Sequence, residues 1–232
     1  MKTILVSIII IAIISGGYYL YTKSDSSVKN MVEEKSIQAE NGSVPQNGTY
    51  AVITEESEIG WTAGKPLIAD YTHHGIIKVK NGTIIIGDDT ASGSFIIDMT
   101  SLKVTSLGGG KEGRESQLES HLKTGDFFDV EKYPTASFSI SKVTPTDVGG
   151  VYIIDGSLTM KDVTDTISYP AQIYEKDGKL YAVADFTIDR TKWGITFGSA
   201  NFFSNIANNA ISDEVTLSLN LVAVLNEVTT SN

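Results

Sequence analysis

The chain of 232 residues carries 28 acidic against 18 basic side chains, a formal net charge of −10, and no cysteine. That balance, with no clustered basic face, excludes DNA or RNA as a partner. Without cysteine there is no disulfide framework, thiolate metal site, cysteine nucleophile or cysteine-borne lipid anchor.

The first 22 residues form a segment of their own. Ile4 to Tyr21 has no charge, is dense in isoleucine, and closes with Tyr18, Tyr19 and Tyr21 before Lys23. This is near the shortest length that spans a bilayer, with aromatics at an interface position, so an N-terminal transmembrane helix is expected. A cleaved secretory signal is the alternative, because Ile4 to Ile14 has the length of a signal core; no Ala-x-Ala site follows it. Residues 23–48, rich in Ser, Asn, Glu, Lys and Gln, cannot bury enough surface to offset ordering entropy and are expected to be a polar tether. The barrel is placed at residues 49–232. The barrel is expected outside the cytoplasm, anchored to a membrane, or secreted or periplasmic if the signal is cleaved.

From Thr49 onward the hydrophobic period is two. In "GIIKVKNGTIII" (Gly75 to Ile86), two β-branched runs flank Asn81-Gly82, a pair suited to a two-residue hairpin turn. Further strands are expected at Ser92 to Met99, Ala136 to Val143, Val151 to Met160, Thr166 to Tyr174, Leu180 to Asp189 and Glu214 to Asn226, with turns at Gly149-Gly150 and at Lys176-Asp177-Gly178. Two segments break the rhythm. Glu115 to Lys123 places Leu118 and Leu122 on one face of a short helix, and Ala200 to Ala210 is a second helical candidate. About eight strands with mostly short connections predict an all-β antiparallel barrel or sandwich with short helices.

Chemistry-bearing patterns are sparse. His73, His74 and His121 are the three histidines; none has metal-ligand spacing, and His73 and His74 would point to opposite faces of a strand. No G-x-S-x-G elbow presents a serine nucleophile, and Asp88-Asp89 reads as a solvated turn. Nothing points to a catalytic residue, a metal or a cofactor. The aromatic stretches are more informative. "LKTGDFFDVEKYPTASF" (Leu122 to Phe138) reads as a helix-to-strand transition in which Phe127 and Phe128 divide between covering a barrel end and packing beneath the loop. In "DFTIDRTKWGITFGSANFF" (Asp185 to Phe203), Asp189 and Arg190 are expected to pair, Gly194 and Gly198 to permit sharp turns, and the aromatics either to close the core or to meet a ligand.

These blocks, taken in order with Gly60-Trp61, Lys65-Pro66, His74-Gly75, "GSFIIDMTSL" (Gly93 to Leu102) and "DGSLTMKDVT" (Asp155 to Thr164), resemble the YceI family of exported, lipocalin-like barrel proteins associated with polyisoprenoid binding. The resemblance spans about Gly48 to Val224. It implies a lipocalin-like barrel whose apolar channel takes a long isoprenoid lipid, such as a polyprenyl lipid or quinone tail, without enzymatic chemistry. Candidate lining residues by strand parity are Phe138, Ile140, Leu158, Phe186 and Leu217, with Phe127, Trp193 and Phe197 near an end. A filled barrel serving as an interaction module is the alternative expectation. An enzyme acting on a lipid-like substrate is the third.

Overall fold

The period-two runs become nine antiparallel strands in the computed structural model, which describes residues 43–88, 90–203 and 209–226. They are β1 (Gly48–Val52), β2 (Glu58–Gly64), β3 (Thr72–Ile86), β4 (Ala91–Leu107), β5 (Thr135–Pro145), β6 (Val151–Met160), β7 (Val163–Lys176), β8 (Lys179–Asp189) and β9 (Glu214–Leu225). A short helix, α1 (Glu115–Leu122), lies between β4 and β5, and a 3-10 turn, Arg190–Trp193, follows β8. The sheet order is β1-β3-β2-β9-β8-β7-β6-β5-β4, and a β3–β4 pairing brings its ends together as a barrel.

The nine strands fill eight positions around the barrel. β1 and β2 both lie between β3 and β9: β1 pairs with Thr83–Ile86 of β3 and with Ala223–Leu225 of β9, and β2 pairs with Thr72–Lys78 and with Thr216–Asn220. Between them the chain leaves the sheet, and Ser57, fully buried, takes the place of a strand residue. Its hydroxyl accepts from Val222 N at 2.9 Å and donates to Val222 O at 3.2 Å, while Ile53 N also donates to that carbonyl at 2.8 Å. The β9 backbone is thereby satisfied where the ladder is interrupted.

The expected hairpin at Asn81-Gly82 is not formed. These residues lie inside β3, which continues for 15 residues. Of three register shifts against β4, those at Ile76/Lys78 and Val79/Asn81 bend the strand where its other neighbour changes from β2 to β1. Gly82 serves close approach instead of a turn: a Cβ there would lie 2.7 Å from Phe95 Cβ and 2.8 Å from Val52 Cγ2. The other strands follow the hydrophobic pattern, and Asp177-Gly178 makes the expected tight turn between β7 and β8, with φ of 52° and 73°.

One end of the barrel carries the long connections. Residues 65–71, 108–134, 190–203 and 209–213 all lie there, and α1 packs Leu118 and Leu122 against the core. The opposite end has the β5–β6 and β7–β8 turns, and it is where the described chain enters: Ser43 bridges to Glu175, and Tyr50 donates through its hydroxyl to Gln46 O at 2.8 Å. Three of the expected elements fall wholly or partly outside the described residues, among them residues 23–42 of the expected polar tether. The N-terminal membrane segment, 1–22, does so entirely, and among the described residues no helix is long and apolar enough to cross a membrane. The second helical candidate, Ala200 to Ala210, does so in part: residues 200–202 are turn and Asn209 has 3-10 conformation.

Candidate ligand-binding interior

Inward-facing residues of seven strands converge on an apolar core. Its central cavity is lined by Ile59, Phe95, Ile97, Phe138, Leu158, Ile167, Tyr169, Phe186, Leu217 and Leu219 and has a volume of about 30 Å³. That is on the scale of one water molecule, so the interior is filled by side chains. Four rings account for much of the filling. Phe95 and Phe138 have centroids 5.4 Å apart, Phe138 and Tyr169 5.8 Å, and Tyr169 and Phe186 4.0 Å, a continuous aromatic ladder from β4 to β8. Gly156 on β6 makes room for it: a Cβ there would fall 2.2 Å from Phe138 Cζ. Tyr169 brings the one hydroxyl among these lining side chains, and burial alone pushes its phenol pKa up.

The expected lining residues separate into three places. Phe138, Leu158, Phe186 and Leu217 border the cavity. Ile140, on the same face of β5, packs against the core beyond the cavity, opposite Gly93 and Gly156. Phe127, Trp193 and Phe197 lie at the end bearing α1. Phe127 is buried and forms a triangle with Phe197 and His121, with centroids 5.1 to 5.2 Å apart, while Phe197 is 38% exposed. Lys161 Nζ donates to Phe127 O at 2.6 Å, tying the β6–β7 turn to this cap. Phe128 is partly buried against the core, so the two adjacent phenylalanines divide as expected.

Arg190 is not paired with Asp189. Asp189 caps the 3-10 turn, accepting from Thr191 N at 2.9 Å and Thr191 Oγ1 at 2.6 Å, whereas Arg190 reaches Asp213 at 3.2 Å. Adjacent side chains diverge where a strand ends, and the long β8–β9 connection returns Asp213 to the guanidinium. Arg190 is buried and also donates to Ser212 O at 2.9 Å and Ile195 O at 2.6 Å. Burial lowers its pKa, opposed by the Asp213 and Asp189 carboxylates. This clamp holds Trp193, whose Nε1 donates to Leu158 O on β6 at 2.9 Å.

The wall has a break between β7 and β8. Their pairing runs from Lys176↔Lys179 only as far as Gln172↔Val183, although β7 begins at Val163 and β8 ends at Asp189. Pro170 supplies the reason. Ile173 N donates to Gly150 O on the β6 side at 2.8 Å, so by ladder alternation the nitrogen of residue 170 faces β8, and proline has no proton to donate there. Beyond that point the strands part around a slot of about 220 Å³, lined by Thr166, Ile167, Ser168, Phe186, Thr187, Ile188, Asp189, Lys192 and Trp193.

Two buried polar atoms have no hydrogen-bond partner among the described residues, Trp61 Nε1 and His73 Nδ1. Both belong to the inward faces of β2 and β3, whose neighbouring pairs are Trp61↔Gly75 and Ala63↔His73. His74 faces the other way, with Nδ1 2.9 Å from Thr62 Oγ1. Burial depresses the His73 pKa, a shift opposed by the Thr72 backbone and reinforced by His74 and Lys65.

Strand parity alone does not single out Phe95, Ile167 or Tyr169 as lining residues, yet each continues an alternation already visible: Phe95 with Ile97, and Ile167 with Tyr169 and Ala171. Pro170 within "TISYPAQIY" is the signal for the broken wall, since proline is confined to strand edges.

An eight-position antiparallel barrel with an aromatic-filled core defines the class. A family profile described as YceI-like domain matches residues 50–223, and the chain belongs to that family. Among curated relatives, a UPF0312 protein of Photorhabdus laumondii is 31% identical over 72 residues, covering 31% of this chain and 34% of its own length. A UPF0312 protein of Pseudomonas aeruginosa is 28% identical over 128 residues, covering 49% of this chain and 66% of its own length. Among solved structures, BcnA of Burkholderia cenocepacia superposes with a TM-score of 0.59 at 20% identity, covering 75% of this chain and 99% of that one. A polyisoprenoid binding domain from Saccharophagus degradans, implicated in plant cell wall breakdown, gives 0.52 at 13% identity, covering 78% and 100%. These two likenesses concern the fold.

Proposed function

We propose that the barrel is a non-enzymatic binding protein that sequesters or carries a long isoprenoid lipid, a polyprenyl lipid or quinone tail, with the chain threaded along the aromatic ladder. The observation that carries this reading is the interior: ten lining side chains, apolar but for the Tyr169 hydroxyl, inside a YceI-like domain. The fold shared with a polyisoprenoid-binding domain adds support. The eight candidate lining residues then divide into those along the chain (Phe138, Ile140, Leu158, Phe186, Leu217) and those at its end (Phe127, Trp193, Phe197).

Binding must displace rings, because a cavity of about 30 Å³ cannot hold the chain. The magnitudes permit it. Each buried CH₂ is worth about 0.8 kcal/mol, hence roughly 4 kcal/mol per five-carbon unit, against about 0.5–1.5 kcal/mol for ordering one rotamer-rich side chain. The N-terminal apolar segment would hold the barrel at a membrane, outside the cytoplasm, where such lipids reside. Protease digestion of intact cells tests that placement: cleavage of the barrel from outside is expected, and full protection contradicts it.

Organic extraction of the purified full chain followed by mass spectrometry tests the ligand. Co-purifying isoprenoid is the expected result. The packed interior favours a second reading, a filled barrel acting as an interaction module, and the absence of both endogenous lipid and uptake of added polyprenol or quinone would establish it over the first.

A further inference from the structure

We infer that the broken seam between β7 and β8 is the port through which the apolar chain enters the barrel sideways, and that the slot in this seam holds the ligand's polar head. This inference rests on the lipid-binding reading and adds to it the route and the head-group site.

The slot passes through the wall. Its lining includes residues of both strand faces: Ile167, Phe186 and Ile188 point inward, while Thr166, Ser168 and Thr187 point out. Ile167 and Phe186 also border the central cavity, so the two spaces are separated by side chains and not by backbone. Its volume of about 220 Å³ exceeds the roughly 30 Å³ of the central cavity that it adjoins.

The boundaries are defined. At one edge the β7–β8 ladder resumes at Gln172↔Val183. At the other, Lys192 Nζ lies 3.2 Å from Asp165 Oδ2, joining the end of β8 to the start of β7, and Trp193 reaches past β7 to Leu158 O. The ion pair is partly exposed and weak enough to open. On the inner side the gate is the Tyr169–Phe186 stack, two rings from opposite sides of the seam lying 9° from parallel. Turning either ring joins slot to core without breaking a ladder hydrogen bond, because none joins the strands at that level.

The chemistry of the slot suits an amphiphile with a small oxygen-bearing head. Three hydroxyls, from Thr166, Ser168 and Thr187, line the outer side, with Lys192 and Asp189 at the base. By ladder alternation the backbone amides of Ser168 and Thr187 face each other across the gap, offering donors and acceptors to a hydroxyl or carbonyl head.

Because the chain has no cysteine, the seam can be locked with introduced thiols alone. The pair Ser168→Cys and Thr187→Cys occupies exposed positions on the two strands that flank the slot and is bridged with a short bifunctional thiol reagent. A matched control, Lys176→Cys with Lys179→Cys, bridges the same two strands where they are already paired. Uptake of radiolabelled polyprenol from detergent micelles by the full-length protein is then followed with time. Each variant is compared with itself before bridging: bridging the seam pair is expected to slow uptake at least tenfold, and bridging the control pair to change it little. A second variant, Lys192→Ala, is expected to load several-fold faster. Wild-type uptake by the bridged seam overturns the port while leaving lipid binding intact. Failure of the wild-type protein to take up the probe overturns both.

Discussion

The ring of Tyr169 on β7 lies nearly parallel to that of Phe186 on β8, centroids 4.0 Å apart, at a level where the two strands share no hydrogen bonds. Side-chain stacking takes over from the ladder there, so rings brace the seam where its hydrogen bonds stop. Removing Phe186 is therefore expected to cost stability and to enlarge the interior. For Phe186→Ala, a loss of about 2–3 kcal/mol is expected, at or just below the usual range for a phenylalanine because this side chain is only partly buried. Urea unfolding followed by circular dichroism reads the change, and a loss below about 0.5 kcal/mol would contradict a bracing role.

Arg190 anchors the β8–β9 connection from a buried position, donating to the backbone carbonyls of Ser212, Ile195 and Ile211 as well as to Asp213. Arg190→Ala leaves the Asp213 carboxylate and those carbonyls short of a partner, for an expected loss of about 3 kcal/mol or more. Lys179→Ala, which removes an exposed pair with Glu56, is expected to change the unfolding midpoint little. Equal effects from the two substitutions would refute the clamp.

Ser57 stands in for a strand residue opposite Val222. Ser57→Ala leaves the Val222 amide without its acceptor in a fully buried place, and about 1–3 kcal/mol is expected to be lost. Hydrogen exchange at Val222 gives a second readout: its amide is expected to lose protection in the variant, while the amides of β6 keep theirs.

His73 supplies a pH dependence. Its pKa is lowered in the fold from 6.5, chiefly by burial, so the unfolded chain takes up the proton first. The stabilisation is complete above about pH 6.5 and is lost as the pH falls through the folded value. Denaturation midpoints between pH 7.5 and 5 are expected to fall for the wild type and to flatten for His73→Gln. The carboxylates with lowered pKa, Glu119 and Asp165, lose their contribution only in a more acid range and do not mimic this window. Identical profiles for the two proteins would contradict the assignment.

The sequence makes the barrel legible where one periodicity has one meaning. Val151 to Met160 alternates cleanly and is β6 to the residue, and the expected α1 differs by a single position. Asn81-Gly82 misleads because the same pair that favours a hairpin also tolerates a bulged strand closely approached by Phe95 and Val52, and only the change of neighbour from β2 to β1 decides between them. Four of the eight candidate lining residues border the cavity because parity marks the inward face. Parity cannot report how far along the barrel the cavity extends, which is why Ile140 lies beyond it. The pairing of Arg190 with Asp213 instead of Asp189 depends on a connection of more than twenty residues returning to its start, a tertiary event with no local signature.

The most direct measurement of the central claim is a binding series of quinones that share one head group and differ in the number of isoprene units, titrated against the full-length protein in detergent. An apolar chain replacing the rings of the ladder predicts that Kd falls steadily with each added unit until the barrel is filled. A Kd independent of tail length, or no binding at any length, would contradict it.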